Sequence, residues 1–535
     1  MKSSITQLLK YELVEDIKSN MLVKDANTYV CIGRPIRWGS DNTETSDEIE
    51  EISFDLNYFN QIKRDMVAMK KVQASDLALV VPRVDWSSGI SYDAYADHIQ
   101  LFSHQKKFAV GAATVSSGSN YVPLAIPALL TGNLSVGNTI TLGAETKEVI
   151  SIGTGTFNVN TTFTSSYTAN TVVRVDNMYP RYANTFYVRN SKDQVFKCLY
   201  NAGTVSTVEP TIDIDGQLPE NPYIEPGDGY KWKYLYTIPY GQKQKFFTKA
   251  WMPVYTDPTV IAGATDGRID IINITAGGTG YYLNGGNSGN SNSLPIITVI
   301  GDGTGASVTA KVSSGVITGL NILSGGSGYT WANVVVTDTS QLSTGTAASF
   351  DSIISPPGGH GSNPAKELGC YSVMISTDLV GTESGKIPVS GLGTFDFRQI
   401  SLVRDPLVTA STPTYANATS YSTTTKISLS SPGITNYTND EIITDNYSAS
   451  ANNPFSATVI AWDPSLNNLY VNNIRGTPSV GSQITGGSSG AVATVLGLTQ
   501  PDISIYNGDL LYIENRLKIV RDSSQTEQIR LVLSF

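Results

Sequence analysis

The residues that could do chemistry are few in this sequence, and their spacing fits turns better than sites. GDGTGA (Gly301 to Ala306) has the glycine density of a phosphate cradle. A P-loop needs a Lys-Ser/Thr pair after its last glycine, and a dinucleotide loop needs a following helix. SVTAKV follows instead, an alternating run, so a hairpin turn is expected. DIDG (Asp213 to Gly216) starts like a calcium loop but lacks a third oxygen ligand and the closing glutamate, and reads as a turn. His98 and His104 fit neither a helical metal pair nor HExxH, and His360 sits in the loop PPGGHGSNP. Each is expected to be an ordinary surface or core histidine.

Other constellations are equally bare. There is no GxSxG elbow, and Glu225, Asp228 and Asp396 show no spacing that predicts acid/base work. A carboxylate-only glycosidase is the enzyme class this inventory leaves open. Cys31, Cys198 and Cys370 lie far apart without a CxxC pair, which indicates neither a disulfide framework nor zinc and suits an intracellular folding compartment. The Asn-x-Ser/Thr matches (Asn133, Asn160, Asn417, Asn436, Asn446) are what chance gives in such a composition. No catalytic residue, metal or cofactor is expected.

Composition sets the frame for this poverty. Only 15% of the 535 residues are charged, while 48 are glycine, and Ser, Thr and Asn fill much of the rest. That is the make-up of short strands and tight turns, and the length suggests three or four domains. A net charge of −10 argues against a nucleic-acid partner. The acidic run DNTETSDEIEE (Asp41 to Glu51) reads as a solvated loop. The opening MKSSITQLLKYELVED is broken by Lys10, Glu12, Glu15 and Asp16, unlike a secretion signal, and no apolar run is long enough for a membrane partner.

The elements that must position everything are mainly β. The expected fold is multidomain: antiparallel β sandwiches or barrels with a small α+β N-terminal part. Ser4 with Gln7 fits a capping box before Ile5, Leu8, Leu9, Leu13 and Ile17 at helical spacing. A second helix is expected from about Asn57 to Val72, with Phe59, Ile62, Met66 and Met69 on one face. VGNTITLGAETKEVISIGTGTFNV (Val136 to Val159) alternates as hairpins do, and VGSQITGG (Val480 to Gly487) echoes its start. ITAGGTGYY (Ile274 to Tyr282) recurs 48 residues later as ILSGGSGYT (Ile322 to Thr330), which indicates a duplicated β unit. There Gly278, Gly280, Gly326 and Gly328 should supply positive φ at turns, with Tyr281 and Tyr329 packed over them. The tail from Asn507 reads as a hairpin turning at Ser523, Ser524 and Gln525, with Phe535 tied into a sheet.

The proposed order is core 1–108, β insertion 109–175, core 176–265, β insertion 266–352 with the Gly-Tyr repeat, core 353–408, β insertion 409–500 and a C-terminal core hairpin 501–535. The core parts carry denser segments. They are CIGRPIRW (Cys31 to Trp38), PRVDW (Pro82 to Trp86), IEPGDGYKWKYLYTIP (Ile224 to Pro239), FRQISLVRDPL (Phe397 to Leu407) and GDLLYIENR onward (Gly508 to Phe535). In that order they resemble the baseplate wedge protein family of T4-type contractile-tailed bacteriophages known as gene product eight. The resemblance covers about half the chain, and the three insertions have no counterpart in it.

The resemblance implies a virion protein without an active site, made in the host cytoplasm and built into the tail baseplate. It implies a homodimer that contacts other wedge subunits. Trp38, Pro82, Arg83, Asp85, Trp86, Pro226, Gly227, Asp228, Gly229, Trp232, Arg398, Gln399, Glu514, Asn515 and Arg516 are then expected to hold the core or its interfaces. A competing expectation is a surface adhesin whose Gly/Tyr modules bind host glycan.

Overall fold

A computed structural model describes residues 7–22, 27–39, 49–95, 107–109, 115–123, 139–142, 145–153, 156–168, 172–176, 186–201, 203–213, 223–281, 295–337, 345–433, 435–445 and 455–535. Ser4, Ile5, most of the acidic run, His98, His104, Asn133, Asn446 and the end of DIDG lie outside the described residues. The fold is mainly β, with several antiparallel sheets, a closed barrel and few helices. The chain divides into two compact units, one of residues 1–80, 244–246 and 371–535, the other of 81–243 and 247–370.

The first unit is organised by the strand Thr28–Gly33 (TYVCIG), uncharged and buried along its whole length as a central strand must be. It lies between Met66–Lys71 and Thr394–Arg404 in a five-stranded sheet, with Ser420–Ser422 and Asp509–Asp522 at the edges. The second expected helix is only half right. Leu56–Asp65 is helical, capped by Asp55, whose carboxylate accepts from the Tyr58 N–H at 2.8 Å. Met66–Lys71 is a strand, its Met69 registered on Cys31 and its Ala68 on Ile32. Pairing with the buried central strand Thr28–Gly33 outweighs the helical preference of the Met, Ala and Lys residues in MVAMKK. Ile62, Met66 and Met69 still share one core with Tyr29, Cys31, Tyr58 and Val403.

Two further expectations change. Along the helix Gln7–Leu22 the buried residues among the described side chains, which do not include Leu8, are Val14 and Met21, while Leu9 and Leu13 face solvent. Hydrophobic spacing placed the stripe about one position away. The tail is also not a hairpin. Asp509–Asp522 and Thr526–Ser534 meet at the Ser523–Gln525 turn, but the first pairs with Thr394–Arg404 and the second with Ser372–Val380, in different sheets. The chain turns a corner here, and the preceding pair of strands turns the same corner. Arg521 fills the elbow, 1% exposed, 3.4 Å from a Glu527 oxygen and from the Leu379 carbonyl. The last strand is nonetheless tied down: the Phe535 N–H donates to Tyr371 O at 3.0 Å.

Within this unit, strands between Thr425 and Thr499 close a six-stranded barrel. Alternate residues Ile427, Leu429, Val459, Leu469, Val471, Ile484 and Val495 fill it. VGSQITGG supplies its strand Gln483–Gly486, while VGNTITLG supplies Thr139–Leu142 of a six-stranded sheet in the second unit. That sheet is built from residues 107–176, over a core of Val122, Ile140, Leu142, Val149, Phe157 and Phe163.

The Gly-Tyr repeat is a pseudo-twofold structure in the second unit. Ile269–Ala276 pairs with Ser349–Ile354, and Thr304–Ser313 pairs with Val316–Ser327, so each repeat's first strand pairs with the other's last. Tyr281 N donates to Gly315 O at 2.9 Å, and Tyr329 N to Gly267 O at 3.1 Å. The Tyr281 hydroxyl accepts from Ala348 N and the Tyr329 hydroxyl from Ala306 N. All four motif glycines have positive φ, and both tyrosines are core residues. A Cβ on Gly326 (φ +66°) would stand 2.4 Å from Thr304 O and 2.8 Å from the Tyr329 ring, whereas one on Gly328 would meet nothing. Gly326→Ala is therefore expected to destabilise by about 1–3 kcal/mol, and Gly328→Ala by less, from backbone strain alone. Urea unfolding of the two variants checks the order.

Candidate functional site

The motif residues gather into one network in each unit. In the first, the loop after TYVCIG carries Trp38, which is fully buried. Its indole N–H donates to Arg516 O at 2.7 Å, and the Arg34 guanidinium lies 4.0 Å from its ring centre. Arg398, also buried, donates to Pro35 O at 2.6 Å and stands where the sheet register slips between Phe397 and Gln399. Gln399 pairs with Asn515 in register and donates to its side-chain oxygen at 2.8 Å. Asn515 in turn donates to Glu50 O and to the Tyr58 hydroxyl, both at 2.7 Å. Glu514 accepts from Arg516 at 2.8 Å. Nearby, burial pushes the Asp65 carboxyl up to about 6, although Arg34 3.5 Å away opposes it. Segments hundreds of residues apart thus form one polar lattice on one sheet.

The second unit holds the other network. Gly227 and Gly229 both have positive φ, so Pro226-Gly227-Asp228-Gly229 turns back on itself and aims Asp228 at the 206–208 loop. Asp228 accepts from Ser206 Oγ, Thr207 N, Val208 N and Tyr230 N at 2.8–3.1 Å. Burial pushes its carboxyl up, and these donors more than reverse that, holding it below the usual carboxylate range. Ser206 also accepts from the Trp86 indole at 3.0 Å, and Trp232 stacks on Tyr230 beneath. Pro82 O accepts from the Tyr187 hydroxyl at 2.9 Å. Arg83 and Arg189 both pair with Asp85, and both guanidiniums lie within 5 Å of the Phe247 ring centre.

A third cluster was not legible as a site. The strands Gln194–Tyr200 and Lys231–Thr237 place Lys197 directly opposite Lys233, both buried. Like charges in that position repel, so counter-charges must be close. Glu367, at the end of the short helix Pro364–Glu367, ion-pairs with Lys197. Lys197 Nζ is also 2.6 Å from His360 Nδ1 and 3.9 Å from the Tyr95 ring centre. Glu367 Oε1 accepts from Gly361 N at 2.7 Å and Asn363 N at 3.3 Å. His360 Nε2 points toward Asp270 Oδ2 at 3.8 Å, too long for a hydrogen bond.

Charge states follow from this geometry. Burial pushes the Glu367 carboxyl up, but Lys197 and His360 bring it down to about 2. Burial, with Lys197 adding to it, holds His360 below its ordinary value, so it is a neutral imidazole. Burial also lowers Lys233 to about 8. His360 is therefore a buried histidine with a specific lysine partner. Lys197, Lys233, Asp270 and Glu367 were missed altogether. The available signal was Lys197 in the middle of QVFKCLY and Lys233, flanked by Trp232 and Tyr234, in KWKYLYT.

The three cysteines are buried and unbridged. No protein-family model matches this sequence, and no curated protein is similar to it.

Proposed function

We propose that this chain is a structural subunit of the baseplate wedge of a contractile-tailed bacteriophage. In this reading it is a homodimer in the virion tail that bridges neighbouring wedge subunits and takes part in the baseplate's change of shape on host contact. The observation that carries the proposal is the convergence of the family-like segments. Trp38, Arg398, Gln399, Asn515 and Arg516 form one lattice, and Trp86, Asp228, Tyr230 and Trp232 another. Motif matches arising by chance would have no reason to meet. A subunit held by such lattices has fixed outer faces, as a part needs when interface energies must differ between two assembled states.

Light scattering on purified protein tests the reading. The expected mass is twice the 57.3 kDa of one chain. Co-expression with baseplate wedge proteins of the same phage should then give a stable complex. A folded monomer that binds none of them would sink the proposal. Deleting Asn507 to Phe535 is expected to abolish soluble folding, because that segment supplies one strand to each of two sheets.

The glycan-binding alternative receives less support. The repeat tyrosines Tyr281 and Tyr329 are core residues and offer no stacking platform. Among the described residues of that module, the exposed aromatic is Trp331. Saturable binding on a glycan array, lost in Trp331→Ala, would restore this alternative.

A further inference from the structure

We propose that the Lys197 amine and the Glu367 carboxyl condense into an intramolecular amide, with His360 moving the protons. Four features of the cluster point there. The lysine is fully buried and the glutamate nearly so, and the two head groups are in contact. His360 Nδ1 lies 2.6 Å from the nucleophilic Nζ and 3.8 Å from Glu367 Oε2, so one ring nitrogen faces both donor and leaving oxygen. Gly361 N and Asn363 N both donate to Oε1, where negative charge would build as the carboxyl carbon becomes tetrahedral. Beyond them, the Asp270 carboxylate faces the far side of His360 and favours a transient imidazolium.

The steps balance without any added reagent. His360 Nδ1 takes one proton from the Lys197 ammonium and passes it to Glu367 Oε2, which leaves a neutral amine beside a neutral carboxylic acid. Nζ attacks the carboxyl carbon, and Oε1 becomes the oxyanion between the two backbone N–H groups. His360 then carries a second proton from Nζ to Oε2, the C–Oε2 bond breaks, and one water departs. The Nζ–C bond remains as an amide with one hydrogen, and nothing is oxidised or reduced.

Burial supplies both the rate and the direction. In water an amine and an acid prefer to stay ionised and apart. Here contact replaces collision, and the product removes two charges from a dry interior that solvates them poorly. The link would join an inner strand of one sheet to the short helix Pro364–Glu367 that follows the tandem repeat, closing 170 residues of chain.

Mass spectrometry of the intact, denatured full-length protein decides the matter. The expected mass is one water below the sequence mass, with the loss mapped to a tryptic pair in which Asp193–Lys231 is joined to Glu367–Lys386. Lys197→Arg should restore its full sequence mass. Glu367→Gln should form the same link with loss of ammonia. His360→Gln should accumulate unlinked chains that close slowly on storage. Wild-type protein at its full sequence mass would mean an ion pair only and would overturn the proposal, as would a water loss mapped elsewhere. The wild-type measurement stands even where a variant fails to fold.

Discussion

Glu367→Ala should lower the stability of its unit by about 3–5 kcal/mol, because it leaves Lys197 as a buried charge without its partner, whether wild type holds the two as an ion pair or as an amide. Lys197 is fully buried, and its Nζ finds Glu367, His360 and the Tyr95 ring around it. Removing the carboxylate leaves an ammonium with a neutral imidazole and a second lysine directly across the sheet. It also strands the N–H groups of Gly361 and Asn363, which the carboxylate now satisfies. The double change Lys197→Met with Glu367→Leu removes both charges and should be the less damaging variant, although it is the larger alteration. Urea unfolding followed by tryptophan fluorescence gives the order. A single variant within about 1 kcal/mol of wild type, or a double variant worse than the single, would show that the carboxylate is not what compensates Lys197.

This cluster also marks where sequence reading stops. Alternation in KWKYLYT suggests one wet face and one dry face, with the lysines on the wet one. Trp232, Lys233, Tyr234, Leu235 and Tyr236 are all buried, so the strand has no wet face. Periodicity reports the side a residue is on, and says nothing about a partner that later covers that side. The covering loop, PPGGHGSNP, follows the strand by more than a hundred residues and looks in isolation like any Gly/Pro turn.

What was legible was local. The Pro226–Gly229 turn, the four glycines of the Gly-Tyr repeat and the alternation around Ile140 are each dictated by backbone chemistry within a few residues. The repeat's exchange of strands was not, because pairing Ile269–Ala276 with Ser349–Ile354 is a choice among several equivalent partners. A weaker echo, GTGAS at Gly303 against GTAAS at Gly345, carries the second half of that symmetry. The corner at Ser523 likewise looks like a hairpin in one dimension. The two strands it joins find better partners elsewhere, and the elbow is specified by Arg521, whose charge gave no hint of burial.

Lys233 allows the electrostatics of this interior to be read from outside. Burial lowers its amine to about 8, from 10.5 in a free chain. Below pH 8 both folded and unfolded chains hold the proton, and the full penalty of a buried charge applies. Between pH 8 and 10.5 the folded state has released the proton while the unfolded state keeps it. The unfolded chain then binds more protons, so stability rises with pH, by about 1.4 kcal/mol per unit and about 3 kcal/mol over the whole interval. Lys197 and Glu367 act on Lys233 with opposite signs, so the window holds whether they remain an ion pair or become an amide. Buried tyrosines such as Tyr234, raised to about 12 by burial, oppose the trend once free tyrosine ionises near pH 10. The clean measurement is therefore the stability difference between wild type and Lys233→Met from pH 7 to 9.5. It should move in favour of wild type by about 2 kcal/mol across that range. A pH-independent difference would mean that Lys233 keeps its proton throughout, and that Asp270 and Glu367 outweigh its burial.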